Sequence, residues 1–274
     1  MAPEVLMVVV RLPMGVVSLR SSGEAGRDVL CALKHSIRSL EPARGSGAIP
    51  FGIAPIDHAL GGGLARAALH EVAACGESAL AAATQFAFGL AAHAQEPRAV
   101  VWIAEEMGLR ENGAPYGPGL DDLGFRPERL VTVAAAKPRD VLGAMEEALR
   151  CRAVAVVIGE IRSARLDLVA SRRLSLAAGH RDVCAFLLRT APGTDASAAA
   201  TRWIVAGARS RANAAGPGPA RLSVLLTRNR HGPVGSWTLE WHRGERRFDL
   251  APSVSQPVAD AARDRPHRAP AFGA

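Results

Sequence analysis

Apolar positions change period along this chain, and the changes divide it into elements. Over residues 24–41 (EAGRDVLCALKHSIRSLE), Val29, Leu30, Leu33, Ile37 and Leu40 recur at helical spacing. The spacing predicts an amphipathic helix, closed by Pro42 and the glycine turn at Gly45–Gly47. After a second glycine turn (Gly61, Gly62, Gly63), short apolar runs alternate with helical stretches. The runs predict strands at Ala67–Val72, Ala99–Ala104 (ending at Glu105 and Glu106), Leu130–Ala134, Ala153–Ile158 (running into Gly159 and Glu160) and Val183–Leu188. Between them lie an Ala-rich helix near Ser78–Ala94, a Gly- and Pro-rich loop at Gly113–Gly119, a helix at Asp140–Arg150 and a basic helix at Ala164–Ala178. The last third alternates differently: strands at Arg202–Ala206, Arg221–Thr227 and Ser236–Trp241, the final two joined by a hairpin through His231–Gly235. Strand–helix alternation followed by strands with short turns predicts an α/β fold with a mostly parallel central sheet and a C-terminal antiparallel extension.

Composition sets the ends apart from this middle. Residues 1–22 carry an apolar run split by Arg11 and Pro13 with no basic segment ahead of it, so they do not read as a secretory signal. They read as a disordered stretch or as a translation start assigned too far upstream. Residues 23–46 hold the amphipathic helix and its linker, 47–250 the main domain, and 251–274 a flexible tail of Pro, Arg, Asp and Ala. At 274 residues, 49% hydrophobic and 22% charged, the chain has the balance of a soluble globular protein. No stretch approaches the ~20 apolar residues of a membrane span.

The net charge of +7 comes almost entirely from Arg. That permits contact with nucleic acid, and it also follows from an Arg- and Ala-rich composition alone. The four cysteines (Cys31, Cys75, Cys151, Cys184) stand at spacings that suit neither zinc nor a disulfide framework, and read as reduced, partly buried thiols.

The segment after the second glycine turn carries the chemistry, by what it lacks. A glycine turn and buried strand would open, in a P-loop protein, into G-x-x-x-x-G-K-[ST], whose backbone N–H groups cradle phosphates while the Lys reaches their oxygens. Here the continuation is AACGESALAAATQFAFGLAAHA, with no Lys between Glu71 and Arg98. Matched without gaps, the first loop glycine falls at Ala74 and the Gly-Lys-Thr trio at Ala79, Leu80 and Ala81. Starting at Gly76 gives Ala81, Ala82 and Ala83 instead. Either way the ammonium and the Mg²⁺-binding hydroxyl are gone. A second motif needs a carboxylate at a strand end; Gly159 stands there with Glu160 next, and Glu160 reads as a solvated strand-end acid. Hydrolysis is not expected and no cofactor is required. Weak ATP binding at the helix start formed by Gly76, Glu77 and Ser78 stays open.

The order and wording of these segments resemble the RecA recombinase core. IDHALGGGLARAALHEV (56–72), VVWIAEEM (100–107), LDDLGFRPERLVTVAA (120–135), VAVVIGEIR (154–162) and RLSVLLTRNRHGPVGSWTLEWH (221–242) carry the likeness, which covers residues 48–250. It implies a RecA-like P-loop NTPase core with helices on both faces of the sheet, and it places Glu105 where such ATPases hold the Glu that activates the attacking water. Within that superfamily the chain resembles the ImuA family, RecA-like (sometimes "SulA-like") proteins of bacterial mutagenesis cassettes. The resemblance implies a non-catalytic accessory role in DNA-damage-induced translesion synthesis. It implies binding to an ImuB-like protein, and beyond that to RecA and the error-prone polymerase, in the cytoplasm and at the nucleoid under damage.

Surfaces are harder to assign. RecA-like recombinases grip DNA through loops after the fourth and fifth strands; here the first is almost absent and the second, Ala191–Ala200, has no aromatic, Lys or Arg. Arg162, Arg165, Arg172 and Arg173 would fall within a wedge of about 100° if one helix carried them, as a DNA or partner face or as a plain solvated face. Arg228 and Arg230, with His231 and Arg243, form a second basic candidate, or simply edge protection for the hairpin. Val29, Leu33, Ile37 and Leu40 offer a stripe for a partner or for the chain's own domain. Trp203, Trp237 and Trp241 read as core. The eight histidines match no metal motif, and no nucleophile motif such as G-x-S-x-G is present. Two rivals remain: a divergent DNA-dependent ATPase using a Lys from elsewhere, such as Lys137, and a SulA-like cell-division inhibitor.

Overall fold

A computed structural model describes residues 8–12, 15–19, 47–94, 97–162, 166–210 and 218–252. Its centre is a nine-stranded mixed sheet. In chain order the elements are the strands β1 (Val8–Leu12), β2 (Gly15–Leu19), β3 (Ala48–Ile49), β4 (Leu64–Ala65), β5 (Leu69–Ala74), β6 (Ala99–Glu105), β7 (Leu130–Ala135), β8 (Val154–Ile161), β9 (Cys184–Arg189), β10 (Thr201–Ala208), β11 (Arg221–Asn229), β12 (Gly235–His242) and β13 (Arg247–Leu250). The helices are α1 (Ala54–Leu60), α2 (Leu80–Ala94), α3 (Glu106–Asn112), α4 (Gly117–Asp122), α5 (Pro138–Leu149) and α6 (Leu168–Arg181).

The large sheet runs β13-β12-β11-β10-β5-β9-β8-β6-β7. From β10 to β7 every pairing is parallel, and from β10 to β13 every pairing is antiparallel. The chemistry of the strands explains their places. β5, β8 and β9 are buried along their whole length and covered on both faces, with apolar side chains interrupted by buried His70, Glu71, Glu160 and Arg189. One face is covered by α2, which packs on β5, β8, β9 and β10; α5 and α6 cover the other. Phe51, Phe86, Trp102, Trp203 and Phe248 belong to the first layer, and Val141, Met145, Leu149 and Leu174 to the second. Trp203 and Trp241 are core, and Trp237 packs partly buried beside them.

The predicted α/β class and its antiparallel extension match the sheet, with boundaries shifted by one to three residues at most strand ends. The strand expected at Ala67–Val72 runs Leu69–Ala74, because residues 66–68 turn before the ladder begins. β13 was not expected; it pairs with β12 and seats Phe248 in the core. Between the glycine turn and β3, Gly63 sits at φ 133, where a Cβ would collide with the Ile49 carbonyl, so glycine is required. Asp57 of α1 accepts from Phe51 N at 2.7 Å and Gly52 N at 3.0 Å, fixing the chain's approach to the domain.

Within residues 1–22, expected as disordered or misassigned, β1 and β2 pair as an antiparallel ribbon. The expected partner helix, with Val29, Leu33, Ile37 and Leu40, lies outside the described residues, as do Arg165 and residues 253–274 of the tail. Among the described residues no helix is long and apolar enough to cross a membrane.

Candidate functional site

Parallel strands direct their C-terminal ends to one rim of the sheet, where open α/β folds bind ligands. At that rim a cleft of about 690 Å³ opens between α2 and the α3–α4 segment. Leu80, Ala81, Thr84 and Phe88 of α2 form one wall, and Leu109, Leu120 and Leu123 the other. Trp102 of β6 forms the floor, stacked on Phe88 at 4.6 Å between ring centroids, with Phe125 edge-on to Phe88. Glu77, Ser78, Glu160, Arg162 and Thr190 are its polar rim, and Tyr116 stands at its mouth, 74% exposed.

The segment read from the sequence as a degenerate phosphate loop is one side of this cleft. β5 ends at Ala74, the Cys75 N–H still donates to the Val205 carbonyl, and a 3-10 turn begins at Glu77. Gly76 is the only residue between Cys75 and that turn, so the chain enters α2 without the wrapped loop that encloses a phosphate. Ala79 is buried, Leu80 opens α2 and Ala81 is exposed on its first turn. The gapless register would place its Gly-Lys-Thr positions at the helix start; the alternative would place one of them at Ala83, which is fully buried. Glu77 sets an exposed carboxylate in the first turn, where the helix dipole would otherwise favour an anion.

The second motif needs correction. Gly159 faces the α5 layer, and a Cβ there would run into Met145. Glu160 is the residue that points to the cleft, and it is 6% exposed, not solvated. Burial first, and the Glu105 carboxylate second, push its carboxyl up to about 7. Glu105 is half-buried, precedes α3 and does not line the cleft. Its Oε1 accepts from Arg162 N at 2.7 Å, which ties the ends of β6 and β8 together. Lys137 starts α5 beside β7 and is absent from the cleft lining.

The arginines do not form the single face expected of one helix. Arg162 follows β8, outside α6, and pairs with Glu111 at the cleft rim. Arg172 and Arg173 lie on α6 over the opposite face of the sheet, where Arg173 reaches Glu146 at 2.5 Å. Arg228 donates to the Ser197 carbonyl at 2.6 Å, and the exposed Arg230 donates its backbone N–H to Ala200. Arg243 lies at the far end of β12 from that hairpin, near Asp122 at 3.7 Å. The loop read as a second DNA loop is held down on the sheet. Buried Ser197 donates to buried Glu71, Arg202 Nε reaches Glu71 at 2.9 Å, and Ala198 N donates to Ser171. Among the described residues no group of three or more His, Cys, Asp or Glu is placed to hold a metal ion.

Two curated relatives match the chain: Protein ImuA of Caulobacter vibrioides strain NA1000 / CB15N and Protein ImuA of strain ATCC 19089 / CIP 103742 / CB 15. Each is 34% identical over 211 residues, spanning 70% of this chain and 82% of the relative. The chain belongs to the ImuA family. No family model matches it.

An ImuA-family chain thus carries a rim cleft whose lining includes two carboxylates, Glu77 and Glu160. Sequence reasoning missed Trp102, Thr190 and Tyr116 as cleft residues. Tyr116 is the chain's only tyrosine and lies in a Gly/Pro loop, a signal that was present. Trp102 sits in an unbroken apolar run that reads only as core.

Proposed function

We propose that this ImuA-family protein acts in DNA-damage-induced mutagenesis as a non-catalytic accessory factor with a RecA-like core, one that binds an ImuB-like protein and, through that complex, RecA, the error-prone polymerase and DNA. The family membership supports the mutagenesis role, and the strand–helix order and the rim cleft support the RecA-like reading. The observation that carries the non-catalytic part is the turn from β5 into α2: one residue between Cys75 and the 3-10 turn, no Lys, and Glu77 where a phosphate would lie. Positioning and charge stabilisation supply nearly all of phosphoryl-transfer catalysis, and this turn supplies neither. The engagement of Arg162, Arg173 and Arg228 by protein groups supports contact with DNA through partners in preference to a direct grip.

The test is a pair of assays on the purified full chain. ATP hydrolysis with and without single-stranded DNA should stay at background, and an ImuB-like partner should co-purify. DNA-stimulated hydrolysis abolished by Glu105→Ala would establish the ATPase alternative. Capture of the division tubulin in place of the polymerase-like partner would favour the division inhibitor.

A further inference from the structure

The rim cleft has a composition that a vacated nucleotide site does not need. Its floor is a rigid aromatic stack, its walls are leucines, and its volume of about 690 Å³ lies within the usual range of ligand pockets. One buried polar group in its lining has no hydrogen-bond partner among the described residues. Trp102 is 4% exposed and its Nε1–H meets no acceptor. Glu160 lines the same cleft and is only 6% exposed. A buried donor without an acceptor is costly, so the indole N–H calls for an occupant that accepts from it.

The charges define that occupant. Glu77 and Glu160 contribute carboxylates to the lining, and the one cation among its described residues, Arg162, is taken by Glu111 on one side while its backbone N–H is held by Glu105. Phosphates are repelled and a cation is favoured. We propose that the cleft is a docking pocket for a protein partner's segment in which a large apolar side chain lies next to an arginine or lysine. The apolar side chain fills the space over Phe88 and Trp102, the cation meets Glu160 and Glu77, and a backbone carbonyl of the segment accepts from Trp102 Nε1. This deepens the docking reading above and rests on it for the identity of the partner, not for the chemistry of the pocket.

The groups facing Glu160 set the pH response: Glu105 at the end of β6, Arg162 beside it, Glu77 across the cleft, and Glu111 bound to Arg162. A bound cation favours ionised Glu160, so affinity rises with pH through about 7.

The pocket is tested with the full chain and the capped dipeptide N-acetyl-leucyl-arginine amide, followed by the indole N–H resonance of Trp102, assigned with Trp102→Phe. The expected result is a saturable shift at millimolar peptide, at least fivefold weaker in Glu160→Gln. N-acetyl-leucyl-glutamate amide should give no shift. A Trp102 resonance unmoved by the arginine peptide, or moved instead by MgATP, overturns the proposal. Ala81→Phe places bulk on the exposed first turn of α2 and should block both the peptide and capture of the partner protein. If the parent captures the partner and Ala81→Phe captures it equally, the pocket is wrong and the accessory role stands. If the parent captures no partner, the accessory role fails, and the peptide titration still decides the pocket.

Discussion

Two buried ionisable side chains bound the pH range in which this fold is comfortable. Glu160 keeps its proton up to about 7, whereas 4.5 is its ordinary value. Between those values the native state binds more protons than the unfolded chain, so its contribution is fully present below 4.5 and is lost as pH rises through 7. At about 1.4 kcal/mol per pKa unit the loss is on the order of 3 kcal/mol. Glu160→Gln keeps the shape without the charge; its melting temperature should exceed the parent's near pH ~8, with the two curves meeting towards pH ~5. Parallel curves would show that Glu160 is solvated after all. His70 acts in the opposite direction. Burial lowers it to about 4 against the opposing hydrogen bond to Ala65. Its Nε2–H donates to the Ala65 carbonyl at 2.8 Å and its Nδ1 accepts from the Thr201 hydroxyl at 2.8 Å. That neutral form contributes stability present above 6.5 and lost as pH falls through about 4. Its imidazole carbon resonances should therefore stay those of the neutral Nε2–H tautomer at pH ~5.5, where an exposed histidine is mostly protonated. Neither shift was legible in the sequence, because a residue's solvation depends on which face of a strand it occupies. In AVAVVIGEI both faces are apolar, so nothing in the pattern said that Gly159 would turn towards Met145 and Glu160 towards the cleft.

Elements were legible where a single period ran long enough. β6, β8, β9 and α5 follow directly from unbroken apolar runs or helical spacing, and so does the strand–helix alternation that sets the sheet. The misses have physical reasons. β13 is four residues long and half charged, and it exists because Phe248 finds a seat on α2 that no local pattern reveals. α3 and α4 are short, six or seven residues each, and α4 begins inside the Gly/Pro-rich loop, so both are held by tertiary contacts more than by propensity. The seat for Phe248 is Gly89. A Cβ at that position would overlap the Phe248 ring, so α2 can approach β13 only because residue 89 has no side chain. Gly89→Val should destabilise the domain by about 1–3 kcal/mol through overpacking, although it removes a glycine from a helix interior. Phe248→Ala alone should cost about 3–5 kcal/mol. The double variant should be less destabilised than the sum, measured as a coupling energy in denaturant melts, since each change removes the other's partner. Strict additivity would mean that the two side chains do not meet.

The two edges of the sheet are built differently, and the difference decides which of them is open to a further strand. At the β13 edge the charges interlock: Arg247 lies 2.7 Å from Glu245 and 3.3 Å from Asp249, and His242 is 3.6 Å from Asp249. Charged side chains of this kind discourage a second strand from adding. At the other edge β7 reads LVTVAA, with no charge and no proline, and among the described strands it pairs only with β6. Val131 is 50% exposed, and Thr132 and Ala134 also face solvent. Open backbone groups on an uncharged, β-branched edge form a template for strand addition between copies. Val131→Lys puts a charge on that edge without touching the buried layers, so stability should change by no more than about 0.5 kcal/mol. Concentration-dependent self-association, followed by sedimentation velocity, should fall. If the parent associates and Val131→Lys associates equally, the contact between copies lies elsewhere and β7 is already covered in solution. If association falls together with the melting temperature, the lysine has disturbed the β6–β7 ladder itself, and the effect belongs to folding and not to the edge.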